Sequence, residues 1–285
     1  MRLKDTVIIV ICETSGNLLG ETIRSAGDRR LETEVFAVGR GISELTQRPG
    51  MTIVNVGAGG STAAAVQCCI SGSGRPAAVV VREGVSFCEG SLDSMMGILE
   101  ANPDAVITPP CELLRQASRQ VFLGSTLAIR GTGKKGFANV FELEPSIHLD
   151  PPGKPFGVFP GCYALFAKRF SDVRPWEGLS GSGILALALS MANRLCGGSC
   201  LMSLRPVRSS AWSTFEMVPA SWGDYLDKIR VALAMTPPII AGRIITDLPE
   251  CEDKKTAMMG MRSATRTILS EKRRFEAAVL RESRL

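Results

Sequence analysis

The chain has 285 residues, of which 45% are hydrophobic and 21% are charged, a balance that is typical of a globular protein with a full core. Its formal net charge of +5 is compatible with an anionic small ligand but too small to indicate nucleic acid, and only 6% of the residues are aromatic. No apolar run reaches the roughly 20 residues that a membrane-spanning helix needs. We therefore predict neither a nucleic-acid partner nor a membrane-spanning segment.

Nine cysteines, an odd number, are scattered along the chain, and several lie in apolar runs such as VQCCI. This distribution is typical of buried thiols in a reducing compartment, so we predict a cytoplasmic location. Cys196 and Cys200 have no second cysteine pair at ligand spacing, and His148 is the single histidine. A zinc site is therefore not expected.

Five apolar stretches of strand length occupy the first 110 residues, and three stretches with helical spacing separate them. The predicted strands are 6–11, 33–39, 51–57, 77–82 and 104–110, and the predicted helices are 17–26, 61–71 and 91–101. Strands that alternate with helices predict a mostly parallel sheet covered on both faces, and near-continuous apolar strands fit that burial. A ligand site is expected beyond the carboxyl ends of these strands.

The second half has a different pattern. It predicts antiparallel strands on either side of the turn GTGKKG, a strand in CYALFAKR, a buried helix in SGILALALSMANRL, one strand in SCLMSLRPVRSS and a helix in GDYLDKIRVALAM. A proline break at 237–238 precedes a basic tail whose apolar residues lie near helical spacing. We predict that this C-terminal helix docks a protein partner or forms a homo-oligomer, with peripheral contact to a membrane surface as the alternative.

With its elements in this order, the chain resembles the family-2 glycosyltransferases, whose fold is the GT-A type, over roughly residues 5–200. VIIVICETSGNLLGETIRSA is similar to the family's first strand, turn and helix, and EGSLDSMMGILEANPDAVITPP is similar to the helix and strand after its metal motif. FPGCYALFAKRFSDVRPWEGLSGSG resembles its acceptor-side segment. The resemblance implies an α/β, GT-A-like (Rossmann-like) sandwich with a predominantly parallel central sheet. It places the nucleotide-sugar and acceptor domain at 1–210 and a helical extension at 211–285.

At three positions where that family has functional acidic residues, this chain has other residues. Gly39–Arg40 stand where the family has an acidic pair, Arg82–Gly84 replace its Asp-x-Asp metal motif, and residues 179–182 occupy the region of its catalytic acids. A metal-bound diphosphate requires several oxygen ligands, and this turn offers only Glu83. We therefore predict no cofactor, with a divalent cation at Glu83 as the alternative.

The candidate nucleotide site lies in the turns that follow the predicted strands. Arg82 can take the place of the metal, because a guanidinium binds a diphosphate in a bidentate contact; a solvated arginine at a strand end is the structural alternative. The turn GAGGS precedes a helix whose first amides can cradle a phosphate, although tight strand-to-helix packing explains it equally well. The candidate nucleotide-binding residues are Cys12, Glu13, Thr14, Gly39, Arg40, Gly59, Arg82, Glu83 and Gly84.

An inverting sugar transfer also requires a carboxylate that takes the acceptor's proton, and the nearest candidate is Glu177. A surface glutamate beside a packing tryptophan, Trp176, is the alternative. Two functions remain open. The first is a divergent glycosyltransferase that transfers a sugar from a nucleotide-activated donor to an unidentified acceptor without the usual metal site. The second is a noncatalytic, glycosyltransferase-like binding or partner protein (a pseudoenzyme).

Overall fold

The computed structural model describes residues 5–12, 18–27, 34–39, 42, 51–57, 60–115, 118–129, 141–147, 154–174, 179, 182–209, 222–237 and 252–282. The strands in these ranges are β1 (Thr6–Cys12), β2 (Glu34–Gly39), β3 (Met51–Asn55), β4 (Ala77–Arg82), β5 (Val85–Phe87), β6 (Ala105–Thr108), β7 (Cys111–Arg115), β8 (Ser118–Phe122), β9 (Ser125–Ile129), β10 (Phe141–Pro145), β11 (Cys162–Phe166), β12 (Ser199–Met202) and β13 (Val207–Ser209). The helices are α1 (Leu19–Gly27), α2 (Thr62–Gly72), α3 (Ser91–Ala101), α4 (Ala167–Val173), α5 (Ser182–Leu195), α6 (Trp222–Met235) and α7 (Glu252–Glu282).

The central sheet has seven strands in the order β12-β6-β11-β4-β1-β2-β3. Every neighbouring pair is parallel except the two made by β11, which runs antiparallel to β4 and β6. The first four predicted strands are therefore neighbours in one sheet, and the prediction of a predominantly parallel α/β architecture is confirmed. The fifth predicted strand, 104–110, forms β6 but is separated from β4, because β11 enters the sheet between them.

Both faces of the central strands are buried, which is why β1 and β4 are continuous apolar runs. Side chains alternate between the two faces of a strand. In β4, Val79 and Val81 belong to the core that includes residues of α1 and α3, whereas Ala78 and Val80 belong to the core that includes residues of α2 and α5. Arg82 follows Val80 by two residues, so it lies on the face that α2 and α5 cover.

The segment after α5 departs from the predicted pattern. Residues 199–210 were expected to form one strand, but this prediction is wrong, because they form β12 in the central sheet and β13 in a second, four-stranded sheet, β5-β13-β7-β8. Pro206 cannot donate a backbone hydrogen bond, and the backbone amides of Ser203 and Val207 on either side bond to Thr108 and Pro110, respectively. The chain therefore changes sheets at the proline.

Other predictions for the second half agree with the structure. β9 and β10 pair antiparallel, and the turn GTGKKG between them lies outside the described residues. SGILALALSMANRL forms α5 and GDYLDKIRVALAM lies within α6. The predicted strand in CYALFAKR ends at Phe166, where α4 begins. By contrast, three strands of the second sheet were not predicted: β5 in the first half of the chain, and β7 and β8 after β6.

The C-terminal helices α6 and α7 pack against the α/β body through α5. Ile229 of α6 and Ile268 and Phe275 of α7 belong to the same buried core as α2 and α5. Arg274 of α7 also donates a hydrogen bond of 2.9 Å to the carbonyl of Val173, the last residue of α4. The predicted helical extension is therefore confirmed, while its boundary at residue 210 stays a prediction. None of the described helices is long and apolar enough to cross a membrane.

Candidate functional site

The carboxyl ends of the parallel strands bring several predicted site residues to one edge of the sheet. Cys12, at the end of β1, is in register with Gly39, at the end of β2, and Gly39 is in register with Asn55 of β3. On the other side of β1, Ile11 is in register with Arg82, the last residue of β4. Cys12, Gly39 and Arg82 therefore lie on neighbouring strands at the edge where ligands bind in open α/β sheets.

The turn from Arg82 to Gly84 is fixed by hydrogen bonds that its three backbone amides donate to three different segments of the chain. The amide of Arg82 donates to Gly161 at 2.9 Å, and the amide of Glu83 donates to Ile11 at 2.9 Å. The amide of Gly84 donates to the hydroxyl of Thr22, in α1, at 2.9 Å. Gly84 has a φ of 83°, a backbone conformation that favours glycine. The turn is therefore a rigid platform for its two charged side chains.

Arg82 is buried rather than solvated, with 7% of its surface exposed, so the alternative of a solvated strand-end arginine is wrong. Burial lowers the pKa of its guanidinium to about 10, and the charge of the neighbouring Glu83 carboxylate acts in the opposite direction. The guanidinium stays protonated at neutral pH. A fixed positive charge thus stands at the carboxyl end of β4.

The N-terminus of α2 is tied to the segment that leads into α5. Ser61 caps α2: its hydroxyl oxygen accepts a hydrogen bond of 3.0 Å from the amide of Ala64. The same hydroxyl donates a short hydrogen bond to the carbonyl of Leu179, three residues before α5 begins at Ser182. Sequence reasoning missed this contact, although a serine directly before an alanine-rich helix is a recognisable N-cap signal.

Arg82 ends β4, a strand that lies between the strands covered by α2 and those covered by α5. α2 packs over β1 and β2, α5 packs over β6 and β12, and β4 and β11 lie between those two pairs of strands. Both helices lead back to the amino ends of parallel strands, so their N-termini lie at the carboxyl edge together with Arg82. A helix N-terminus carries a partial positive charge and unpaired amides. The three features together favour an anion at this edge.

Comparison with known proteins identifies the architecture. No protein-family model and no curated protein sequence matches the chain. Among solved structures, GalNAc-T7 with UDP, GalNAc and Mn²⁺ superposes with a TM-score of 0.62 over 80% of this chain and 48% of that chain, at 11% sequence identity. The chain has a GT-A-like fold.

Two further solved structures align with lower TM-scores. S. aureus TarS 1–349 in complex with UDP-GlcNAc aligns over 88% of this chain and 69% of that chain, at 12% identity and a TM-score of 0.49. S. aureus TarS 1–349 without a named ligand aligns over 91% and 73%, at 11% identity and a TM-score of 0.49. The alignment covers 48% of the GalNAc-T7 chain, so the chain described here spans about half the length of that protein.

The described part of this GT-A-like chain does not provide a ligand set for a divalent cation at the β4 turn. Glu83 supplies one carboxylate, and the guanidinium of Arg82 beside it repels a cation. No group of three His, Cys, Asp or Glu side chains lies together among the described residues. Mg²⁺ and Mn²⁺ favour several oxygen ligands, so the residues of this turn do not fit such an ion.

Cys12 and Glu83 are neighbours on the side of the sheet covered by α1 and α3. Cys12 is buried in that core, and burial, followed by the charge of Glu83, raises the pKa of its thiol to about 12. The thiol is therefore neutral at physiological pH. Only the backbone of Cys12 is available to a ligand at this edge, because its side chain faces the core.

Gly39 has a packing role that the sequence did not reveal. A Cβ atom at this position would overlap the carbonyl oxygen of Cys12 and lie 2.8 Å from its Cβ. Strands β1 and β2 can approach each other at the carboxyl edge only because residue 39 lacks a side chain. The remaining predicted site residues, Glu13, Thr14, Arg40, Gly59 and Glu177, lie outside the described residues.

Proposed function

We propose that this protein binds a nucleotide-activated sugar at the carboxyl edge of its central sheet and transfers the sugar to an acceptor without an Asp-x-Asp metal site. The observation that carries the proposal is the buried cation Arg82 at the carboxyl end of β4, a strand that lies between the strands covered by α2 and those covered by α5. A diphosphate fits this arrangement, since it accepts hydrogen bonds from a guanidinium and from helix amides. GalNAc-T7, which shares the fold, was solved with UDP, and this supports the donor class.

In this mechanism Arg82 offsets the negative charge that develops on the diphosphate as the bond from the anomeric carbon to the phosphate oxygen breaks. A new bond forms between that carbon and the acceptor's hydroxyl oxygen. In an inverting transfer, a carboxylate accepts the hydroxyl proton, and Glu177 is the proposed base.

A second candidate function is a noncatalytic binding or partner protein of the same fold. One observation favours it: Arg82 and Glu83 are each only 7% exposed, as expected for a charged pair that serves the stability of the turn. Nucleotide binding and sugar transfer are separate properties, so two experiments distinguish the candidates. Neither experiment depends on the proposed cytoplasmic location of the protein or on the identity of its acceptor.

The first experiment measures thermal unfolding of the protein with a panel of nucleotide sugars, with Mn²⁺ and with EDTA. We expect at least one nucleotide sugar to raise the melting temperature, and we expect EDTA to leave the rise unchanged. A ligand at 100 times its dissociation constant stabilises the folded state by about 2.7 kcal/mol. The matching nucleoside, which lacks the diphosphate, is the control and should give a much smaller rise. Absence of a rise with every nucleotide sugar would contradict the proposed donor class.

The second experiment measures turnover of the donor identified in this way. We expect Glu177→Gln to lower the rate by roughly 10²–10⁴-fold, because the amide cannot accept the proton, and to leave the affinity for the donor unchanged. Glu100→Gln, an exposed glutamate on α3, is the control and should keep the full rate. A full rate in Glu177→Gln would show that another group is the base. Donor binding without any turnover in the wild-type protein would favour the noncatalytic candidate.

A further inference from the structure

Helix α7 is held against the body of the protein along one side. Ile268 and Phe275 are buried in the core that α5 and α6 share. Arg274 donates hydrogen bonds to the carbonyls of Val173 and Arg174 at the end of α4, and it forms a 2.8 Å ion pair with Glu271. These contacts fix the rotation of α7 about its own axis, so the opposite side has a defined composition.

The opposite side carries a regular stripe of five exposed residues. They are separated by three, four, three and four positions, which places them on one face of the helix. We name these residues the outward stripe: Met259, Arg262, Arg266, Leu269 and Arg273. The stripe spans roughly 21 Å at 1.5 Å per residue.

The outward stripe combines positive charge with exposed apolar surface. Met259 is 61% exposed and Leu269 is 48% exposed, which makes them two of the large apolar side chains at the surface of the described residues. Between residues 259 and 273, the exposed charged side chains that the structure describes in α7 are the three arginines of the outward stripe, and the next exposed charged residue along the helix is Glu276.

We propose that the outward stripe docks the protein onto an anionic lipid surface. A helix that carries arginines and large apolar side chains on its exposed side suits the membrane interface, where the guanidinium groups contact headgroup phosphates and the apolar side chains enter the acyl boundary. Each cationic side chain near an anionic leaflet increases binding about fivefold, so three arginines give roughly 100-fold. This inference does not depend on the proposed sugar transfer.

The composition of the outward stripe disfavours a second copy of the chain as its occupant. A twofold interface through this face would bring the arginines of two copies close together, and like charges in an interface oppose association. A flat anionic surface instead contacts all three arginines along the helix at once. If the stripe instead served an acidic protein partner, the chain would not bind anionic vesicles, and this outcome is among those that the test distinguishes.

The test measures how the full chain partitions onto sedimented vesicles. The vesicles contain either phosphatidylcholine alone or phosphatidylcholine in which about one lipid in three is anionic phosphatidylglycerol. We expect binding to the anionic vesicles only, and we expect it to weaken as salt is raised. The variant Arg262→Gln/Arg266→Gln/Arg273→Gln should bind roughly 100-fold more weakly, and Met259→Ser/Leu269→Ser should also bind more weakly at high salt.

The matched control removes the same charge elsewhere. Arg24→Gln/Lys168→Gln/Arg205→Gln changes three exposed cations outside the outward stripe and should bind anionic vesicles like the wild-type protein. Equal losses in the two triple variants would overturn the inference, because binding would then follow net charge alone. Absence of binding to anionic vesicles would overturn it as well, as would a self-association of the wild-type chain that the outward-stripe variant abolishes. Thermal unfolding and nucleotide binding of each variant, expected to be unchanged, exclude misfolding as the cause.

Discussion

Replacing Arg82 with methionine is expected to weaken the binding of a nucleotide sugar by about one to two orders of magnitude. A charge-assisted contact to phosphate contributes roughly 1.5–3 kcal/mol, and methionine retains a long side chain without the charge. Methionine fills most of the volume of the buried arginine but leaves the buried Glu83 carboxylate without its neighbouring positive charge, so thermal unfolding of the variant is measured alongside its affinity. Isothermal titration calorimetry with the stabilising nucleotide sugar measures the change directly.

Two further variants make the Arg82 result specific. Arg24→Met removes an exposed arginine of α1 and should leave the affinity unchanged. Glu83→Gln, titrated with and without Mg²⁺, tests the metal alternative at the same turn. An affinity that depends on Mg²⁺ and is lost only in Glu83→Gln would assign the diphosphate contact to a metal at Glu83. Unchanged affinity in both Arg82→Met and Glu83→Gln would place the nucleotide elsewhere.

Replacing Gly39 with alanine is expected to lower the free energy of unfolding by about 3 kcal/mol, at the upper end of the usual cost of overpacking. The added Cβ would overlap the carbonyl oxygen of Cys12, and two hydrogen-bonded strands cannot move apart as a flexible side chain can. For a chain of this size, the loss corresponds to a fall in melting temperature of roughly 6 °C or more. Urea denaturation followed by circular dichroism measures it.

Gly97, in the middle of α3, supplies the matched control. A Cβ at Gly97 would meet no atom within 4 Å, and alanine is the better helix former. Gly97→Ala should therefore raise the free energy of unfolding by about 0.5–1 kcal/mol. If Gly39→Ala unfolded like the wild-type protein but lost its affinity for the nucleotide, Gly39 would contribute to binding rather than to packing.

The sequence alone predicted the central architecture because the signal for it is local. Continuous β-branched runs such as 6–11 and 77–82, separated by stretches with helical spacing, are compatible with few arrangements other than a covered parallel sheet. The same pattern placed the turn at Arg82 on the carboxyl edge. The helices α5, α6 and α7 were equally clear, because their apolar spacing extends over several turns.

Short and inserted strands were less predictable. β5 and β13 have three residues each, too few for a recognisable period, and each is stabilised by its neighbours in the second sheet. The antiparallel insertion of β11 between β4 and β6 depends on where the chain returns from its second half. No local pattern carries that information.

The character of the candidate site was decided only by the tertiary structure. The letters at Arg82 fit a solvated or a buried arginine equally well, and those at Gly39 fit a ligand contact or a close approach of two strands. The hydrogen bond from the Ser61 hydroxyl to the backbone carbonyl of Leu179 joins residues 118 positions apart, so neither segment indicates it by itself. Burial and close contact depend on which distant segments pack together, and a sequence fixes local conformational preferences much more directly than it fixes those long-range contacts.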